Sequence, residues 1–319
     1  MSKPIVSLCI PTKNESQRLK NTITSIIAEK CFVNGELELV ISDNCSDDDT
    51  EAVCREYAEK YENIVYNRNE TDIKDRNFPK VMRCGNGLYR KLSNTSNCFC
   101  NGSLDLLVEL IKSCTDERPV ILTNQELGKA EPEVEVFTCM DDILRKISYY
   151  VTWIGEFGLW EDDIPYLDEM DDECDTCLWQ VPAFLESFKR KGVCMILTYD
   201  WIRVQERDKS KIFDTFFEIF YINYTNHLKK YLRSGDLTEE GYEWLERDLL
   251  FNFMTPWMIR CQLDQNRIAK GEQDMIREKV FEAYKDKPYF NEYIEFYVAV
   301  LKKQTYNMMV ELQKKLDDK

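Results

Sequence analysis

The sequence is poor in histidine, in positive charge and in long apolar runs. His227 is the only histidine among 319 residues. The cysteine pairs Cys98–Cys100 and Cys174–Cys177 have no second pair at zinc-finger spacing, so a zinc site is not expected. Acidic residues (58) outnumber basic ones (42), and the net charge of −16 makes nucleic acid an unexpected partner. No apolar run reaches the roughly 18–20 residues that span a bilayer, so membrane contact is expected to be peripheral at most.

The segment Met1 to Pro4 leaves no room for the charged, apolar and cleavage regions of a secretory signal, which predicts a cytoplasmic protein. The 13 cysteines are an odd number, and together with the absence of a signal this argues against a disulfide framework. Hydrophobic residues make up 44% of the chain and charged residues 31%. This composition indicates a soluble chain, and the length of 319 residues indicates one large or two ordinary domains.

The first 124 residues alternate short apolar runs with helical patterns. Strands are predicted at Ile5–Ile10, Leu37–Ser42, Ile64–Tyr66, Tyr89–Leu92 and Val120–Leu122, and helices at 15–29, 48–61, 77–85 and 103–113. This alternation predicts an α/β fold whose mostly parallel sheet has helices on both faces.

The second part of the chain has a different pattern. Residues 131–205 are mixed, with strands predicted at 134–137 and 193–198, helices at 140–147 and 176–190, an aromatic segment at 152–160 and an acidic run at 161–175. Helices are then predicted at 210–233, 238–253, 257–285 and 289–317, with turns near Gly235 and Pro256. We therefore predict an α/β domain over residues 1–205 and a helical C-terminal domain over residues 206–319.

Polar residues follow the first two predicted strands directly. Pro-Thr-Lys-Asn-Glu at 11–15 ends the first strand, and Asp43 with Asn44 ends the second. Parallel sheets bind ligands at the carboxyl ends of their strands, so these residues predict a ligand site.

The order of these segments resembles the start of a family 2 glycosyltransferase of the GT-A fold. The residues that carry the resemblance are PTKNE at 11–15 and VISDNCSDDDT at 40–50, and it continues through Asn63–Tyr66, Asp75–Phe78 and Gly87–Leu92. It covers roughly the first 110 residues. The resemblance implies a GT-A (Rossmann-like) fold and an enzyme that transfers a sugar from a nucleotide-sugar donor to a glycan or lipid-linked acceptor. It also implies inversion, and a setting in surface polysaccharide or glycan synthesis.

The resemblance also implies which residues meet the nucleotide sugar. Asp43 would accept hydrogen bonds from the base or the ribose, although it could instead cap the following turn. Glu15 could contact the donor or complement a helix dipole, and Arg76 with Asn77 would lie near the base or form a solvated helix end. The nucleotide-sugar-binding residues implied in these segments are Pro11, Thr12, Asn14, Glu15, Asp43, Arg76 and Asn77.

The family's metal-binding Asp-x-Asp motif has no counterpart in this chain. After the fourth predicted strand the sequence reads KLSNTSNCFCNGSL, and no carboxylate occurs between Asp75 and Asp105. Asn94 and Thr95 stand at this place and are expected to face the donor. Mg²⁺ and Mn²⁺ prefer carboxylate oxygens, so metal dependence is doubtful and no metal ligand is predicted.

Three explanations for this substitution remain open. Cationic side chains or helix amides could stabilise the diphosphate, or a carboxylate of the 161–175 run could supply the metal ligand. Alternatively, the chain is a catalytically degenerate nucleotide-sugar-binding or interaction protein. A nucleotidyltransferase is disfavoured because PTKNES lacks a glycine-rich basic loop.

Asp162 and Asp163 are the predicted catalytic residues. They follow the aromatic segment at about the place of the family's acceptor loop, where one carboxylate acts as general base. Glu156 is a weaker candidate, and a solvated acidic loop is the alternative for the whole run. Trp153 and Trp160 could stack on a sugar ring or belong to the core.

The C-terminal region carries a run of aromatic residues at helical spacing. Core packing against the catalytic domain is expected of them, and a groove for a lipid-linked acceptor or a homodimer surface are alternatives. These residues are Phe213, Phe216, Phe217, Phe220, Tyr221 and Tyr224.

Overall fold

A computed structural model of the chain describes residues 3–124, 131–205, 215–263 and 270–317. The chain forms two compact units, residues 1–206 and residues 207–319. The strands formed by the described residues belong to the first unit, and the second unit is helical.

Five strands of the first unit form its main sheet, in the order β3-β2-β1-β4-β8. The strands of this unit are β1 (Val6–Thr12), β2 (Leu37–Asp43), β3 (Ile64–Arg68), β4 (Tyr89–Leu92), β5 (Asn97–Phe99), β6 (Val120–Asn124), β7 (Glu133–Phe137), β8 (Gly158–Trp160), β9 (Cys194–Thr198) and β10 (Ile202–Val204). Strands β1 to β4 run parallel, and β8 runs antiparallel to β4. A second sheet has the order β6-β9-β7, and β5 pairs with β10.

Helices cover both faces of the main sheet. The helices of this unit are α1 (Ser16–Ile27), α2 (Lys30–Val33), α3 (Thr50–Lys60), α4 (Asn77–Arg83), α5 (Ser103–Ser113), α6 (Met140–Ile147) and α7 (Gln180–Lys191). Helix α6 contacts β7 and α7 contacts β6, which are strands of the second sheet. Leu8 and Ile10 of β1 join a core with Ile23 of α1 and Leu107 of α5. Helix α4 packs against β1, β2 and β4, on the face that alternation assigns to Cys9. The predicted fold class, a mostly parallel sheet between helices, is confirmed.

The structure differs from the sequence pattern mainly between residues 93 and 205. Strands β5, β8 and β10 were not predicted, because each has only three residues and such segments show no periodicity. The acidic run forms 3₁₀ turns over Glu161–Thr176. Cys177 then adopts a left-handed backbone conformation with φ of 60°, so the helix predicted at 176–190 begins only at Gln180.

Gly158 allows β8 to pair closely with β4. A Cβ atom at this position would lie 2.3 Å from the hydroxyl oxygen of Tyr89. Tyr89 is fully buried and donates that hydroxyl to the Ile121 carbonyl oxygen at 2.7 Å, so it has no space to move. We expect Gly158→Ala to lower the free energy of unfolding by about 3 kcal/mol, as overpacked cores do.

Urea denaturation of the variant measures this effect. Gly192→Ala is the control, because a Cβ there meets nothing within 4 Å although φ is +72°. It should cost only about 1 kcal/mol of left-handed strain. Equal losses in the two variants would contradict the proposed clash with Tyr89.

In the second unit, the residues that the structure describes form helices and two π-helical segments. They are Glu218–Asn223 (π), α8 (Tyr224–Ser234), α9 (Glu239–Asp248), Leu249–Met254 (π), α10 (Thr255–Leu263), α11 (Lys270–Tyr284) and α12 (Phe290–Asp317). Gly235 ends α8 with φ of 78°, as predicted. The predicted turn at Pro256 is wrong, because proline is tolerated in a first helical turn and Pro256 lies in that of α10. The start of the helix predicted at 210–233 and residues 264–269 of the one at 257–285 lie outside the described residues.

The aromatic run packs within the second unit. Phe216 is fully buried and stacks on Trp257, with ring centroids 3.5 Å apart and an interplanar angle of 2°. Phe220 contacts Phe253 edge-on at 4.9 Å. Phe213 lies outside the described residues. Across the described ranges, no helix combines the length and apolar character that crossing a membrane requires.

Candidate active site

The carboxyl ends of β1, β2 and β4 lie along one edge of the main sheet, which we call the carboxyl edge. Thr12 at the end of β1 pairs with Asp43 at the end of β2. On the other side of β1, the Ser93 amide donates to the Cys9 carbonyl oxygen at 2.9 Å. The loops that follow these three strands are therefore neighbours, in the position where parallel sheets bind ligands.

The first two loops are tied to each other through Asn14. Its amide donates to Ser46 Oγ at 2.9 Å, and its side-chain oxygen accepts from the Asp47 amide at 2.9 Å. Asn14 has φ of 54°, a left-handed conformation that asparagine adopts more readily than most residues. Asn14 thus fixes the loop after β1 against the loop after β2.

Asp43 is fully buried and accepts three hydrogen bonds. Its Oδ1 accepts from the Ser46 amide at 2.9 Å, and its Oδ2 accepts from the Tyr66 hydroxyl and from Arg68 Nη1, each at 2.9 Å. Burial, together with the bond to Asp43, raises the pKa of the Tyr66 hydroxyl far above its ordinary value. Asp43 therefore organises the surface formed by Tyr66 and Arg68 and has no exposed oxygen of its own.

The other residues predicted to bind nucleotide fall into buried and exposed groups. Asn77 is buried, accepting from Ser42 Oγ at 2.6 Å and donating to the Ser42 carbonyl oxygen at 2.8 Å. Arg76 lies on the surface, where it pairs with Asp175 at 2.7 Å. Asn77 thus fastens α4 to the end of β2. Of Arg76 and Asn77, Arg76 is the one that faces solvent.

Buried and exposed groups also occur in the loop that follows β1. Pro11 is half-buried within β1, and the Thr12 hydroxyl is buried without a hydrogen-bond partner in the described ranges. Glu15 is ion-paired with Arg18 one turn along α1. The backbone of this loop and its polar rim, rather than buried side chains, are what a ligand would meet.

The loop from Asn94 to Asn97 follows β4, where the sequence led us to expect residues that face the donor. Asn94 Oδ1 accepts from the Ser96 amide at 3.0 Å, and the Thr95 carbonyl oxygen accepts from Thr22 Oγ1 at 3.0 Å and Gln205 Nε2 at 3.1 Å. Thr95, Ser96 and Asn97 are buried. The loop is a closed, neutral turn whose polar groups bond to one another and to α1.

These residues do not fit a hard divalent cation. Such an ion needs several oxygen ligands and prefers carboxylates, whereas Asn94 offers a neutral oxygen that already accepts hydrogen bonds. In the portions of the chain that the structure describes, no group of three or more histidine, cysteine, aspartate or glutamate side chains is arranged to hold a metal.

The start of α5 is also occupied. The amides of Gly102 and Leu104 donate to the Glu29 carboxylate at 2.9 and 3.2 Å. Glu29 is buried and neutralises the positive end of this helix dipole. The amides at the start of α5 are therefore not free to stabilise a diphosphate, and this helix does not explain the missing metal motif.

Asp162 and Asp163 lie apart from the other predicted site residues. Because β8 is antiparallel, Trp160 pairs with Tyr89 at the amino end of β4, and the chain that follows emerges at the edge opposite the carboxyl edge. Arg190 donates a hydrogen bond to Asp163 at 3.0 Å, and Lys191 donates one to Asp162 at 3.1 Å. Burial opposes ionisation of Asp162, but Lys191 and then Arg118 hold its pKa below the usual range.

Glu156 is the acidic residue of this segment that lies at the carboxyl edge. The Leu92 amide donates to the Phe157 carbonyl oxygen at 3.0 Å, which places Glu156 beside the loop after β4. Both Glu156 oxygens accept from Asn124 Nδ2, at 2.9 and 2.8 Å. Asn124 ends β6, so this carboxylate is held between the two sheets.

The sequence analysis missed Asn124 and Lys91. Lys91 lies in β4, is fully buried, and donates to the carbonyl oxygens of Leu92 (3.0 Å), Gly155 and Phe157 (3.3 Å). A lysine inside a predicted buried strand was the signal that could have identified it, because a buried lysine needs a specific reason.

The two tryptophans have different environments. Trp160 is buried, packs against Tyr89 with centroids 5.4 Å apart, and donates its indole N–H to the Pro119 carbonyl oxygen at 2.6 Å. Trp153 is 38% exposed and contacts Tyr150 edge-on at 5.0 Å. Trp160 is therefore a core residue. Of the two tryptophans, Trp153 is the one with an exposed ring surface near Glu156.

Comparison with known proteins agrees with this architecture. The model of the family "Glycosyl transferase family 2" matches residues 7–87. Abequosyltransferase RfbV of Salmonella typhimurium is 32% identical over 114 residues, which cover 35% of this chain and 34% of RfbV. The match thus spans about a third of the length of that relative.

Two solved structures match over nearly the whole chain. S. aureus TarS 1-349 in complex with UDP-GlcNAc has a TM-score of 0.61 at 14% identity, covering 95% of this chain and 92% of that one. The mannosyltransferase PcManGT from Pyrobaculum calidifontis, in complex with GDP-Man and Mn²⁺, has a TM-score of 0.56 at 12% identity, covering 96% and 88%. Residues 7–87 match glycosyl transferase family 2, and the chain has the fold of the GT-A glycosyltransferases.

Proposed function

We propose that this protein is a glycosyltransferase that moves a sugar from a nucleoside diphosphate donor to an acceptor hydroxyl, with Glu156 as the general base. The family 2 match over residues 7–87 supports the donor half of this proposal. So do the structural neighbours bound to UDP-GlcNAc and GDP-Man. Sugar transfer to a glycan or lipid-linked acceptor, in polysaccharide or glycan synthesis, is the setting that these similarities favour.

The observation that carries the proposal is the position of Glu156. It lies at the same sheet edge as the Asn14 and Asp43 loops, and Asn124 holds both of its oxygens. A general base must reach the proton that it removes before its pKa matters. Asp162 and Asp163 are ion-paired beyond the opposite edge. Glu156 is 6% exposed, and it is the one of these three carboxylates that lies at the carboxyl edge.

The proposed reaction is an in-line displacement with inversion. The acceptor hydroxyl oxygen forms the new bond to the anomeric carbon, its proton passes to the Glu156 carboxylate, and the bond to the diphosphate oxygen breaks. The diphosphate leaves with the electron pair of that bond. Asp43 acts on the nucleoside indirectly, by fixing Tyr66 and Arg68 at the end of β3.

We expect transfer to depend only weakly on divalent metal. Because the loop from Asn94 to Asn97 offers no carboxylate, an excess of EDTA over the trace metal should change the initial rate by less than about threefold. The measurement is nucleotide release from a panel of UDP-, GDP- and dTDP-sugars, with EDTA and with Mn²⁺. Complete loss of activity in EDTA, restored by Mn²⁺, would show that a metal site forms in the complex.

A non-catalytic nucleotide-sugar-binding protein is the second candidate. The neutral loop at Asn94–Asn97 favours it, because one structural neighbour, PcManGT, is bound to both GDP-Man and Mn²⁺. The same donor panel separates the two candidates. Nucleotide binding by calorimetry, combined with no turnover of any donor with or without acceptor extract, would favour the binding protein.

A further inference from the structure

Lys91 is a charged side chain in the interior of the first unit. It is 0% exposed, and its ammonium nitrogen lies 5.0 Å from the ring centroid of Trp201. Transfer of a lysine into such surroundings disfavours the charged form. Burial accordingly lowers the pKa of Lys91 to about 7, while Glu156 and Cys9 act in the opposite direction.

The three acceptors of Lys91 belong to two segments of the active site. The carbonyl oxygens of Gly155 and Phe157 flank Glu156 in sequence, and the Leu92 carbonyl oxygen lies where the loop to Asn94–Asn97 begins. One ammonium group therefore joins the backbone on both sides of the proposed base to the end of β4. Asn124 holds the same residue through its side chain.

We propose that Lys91 is a positioning residue that fixes Glu156 against the end of β4. The inference rests on the proposed function, because it assigns Lys91 a role only through Glu156. An ammonium has three N–H donors, and each carbonyl oxygen takes one of them. An apolar side chain would fill the same volume but would leave the three oxygens without this donor.

The surroundings of Lys91 agree with a role in the site. The groups that face it are Glu156 from the 3₁₀ turn before β8, the Cys9 thiol of β1 and the Trp201 ring. Glu156 supplies the negative charge among them. Buried ionisable groups that cost folding energy concentrate at functional sites, and this one lies beside the proposed base.

Lys91→Met tests the proposal, because methionine matches the length of the side chain without its donors. Hydrogen exchange should accelerate at the amides of Glu156 and Leu92, which donate to Trp153 and Phe157 carbonyl oxygens. Turnover should fall about 100-fold, as for other misplaced catalytic groups, while nucleotide affinity stays within about twofold because the Asp43 half of the site is untouched. Lys112→Met, which removes surface ion pairs with Glu36 and Glu109, is the matched control.

Each outcome decides a separate claim. Wild-type exchange at both amides together with wild-type turnover in Lys91→Met would overturn the positioning role. No turnover in the wild-type protein would contradict the proposed function. The exchange measurement would still show whether Lys91 holds the backbone around Glu156.

If Lys91→Met does not fold, the wild-type protein provides the test. Exchange at Glu156, corrected for its intrinsic rate, should increase as the pH rises through about 7, because Lys91 then loses its charge and one donor. The Leu39 amide of β2 should show no such change. Equal pH dependence at the two amides across the whole range in which Lys91 loses its charge would overturn the proposal.

Discussion

Replacing Glu156 with glutamine is expected to reduce sugar transfer by about 10²- to 10⁴-fold, the usual contribution of a general base. Glutamine has the size of glutamate and can still accept a hydrogen bond from Asn124, but it cannot take the acceptor's proton. Nucleotide affinity should remain within about twofold, because Glu156 lies on the β4 and β6 side of the carboxyl edge. Initial rates and calorimetric titration with the same nucleotide measure the two quantities.

Two further variants make this test specific. Glu59→Gln changes an exposed glutamate of α3 and should retain the wild-type rate. Asp162→Asn tests the sequence-based prediction that Asp162 is the base. That prediction requires a large loss of transfer rate in this variant. A wild-type rate in Glu156→Gln combined with a large loss in Asp162→Asn would reject Glu156 as the base and restore Asp162.

Replacing Asp43 with alanine is expected to lower the free energy of unfolding by about 3 kcal/mol. The change leaves the Arg68 guanidinium, the Tyr66 hydroxyl and the Ser46 amide without their acceptor. Breaking a buried ion pair costs about 3–5 kcal/mol, and the lower value applies because Arg68 remains 31% exposed. Urea denaturation followed by circular dichroism measures the loss.

Arg68 offers a matched control for this variant. Its Nε also pairs with Glu51 at 3.3 Å, but Glu51 is 37% exposed, and surface pairs contribute about 0–1 kcal/mol. Glu51→Ala should therefore cost less than about 1 kcal/mol. Asp43→Ala should also weaken nucleotide binding, because the surface of Tyr66 and Arg68 loses its support. Equal stability in the two variants would show that Asp43 has no such organising role.

Much of the first unit could be predicted from local patterns. The apolar runs of β1, β2 and β4 and the helical spacing of α5 specify their own elements, and the structure places them within a few residues of the predicted bounds. The short strands β5, β8 and β10 exist only because a partner strand is present. No window of the sequence could reveal them.

The candidate site divides in the same way. Asn14 and Asp43 follow parallel strands, and the carboxyl ends of such strands meet at one edge whatever the rest of the fold does. The position of an acidic residue near β8 depends instead on the direction of that strand. Its antiparallel pairing brings Glu156 to the carboxyl edge and carries Asp162 to the opposite one.

The sequence by itself determined the α/β class, the loops at the ends of β1 and β2, and the absence of carboxylates after β4. These follow from periodicity and composition, which are properties of short segments. Only the tertiary structure decided that Asp43 is buried under Tyr66 and Arg68, and that Lys91 joins Glu156 to β4. Those contacts join residues more than 20 positions apart, and in the case of Lys91 and Gly155 64 positions apart, so they depend on how the strands pair rather than on any local pattern.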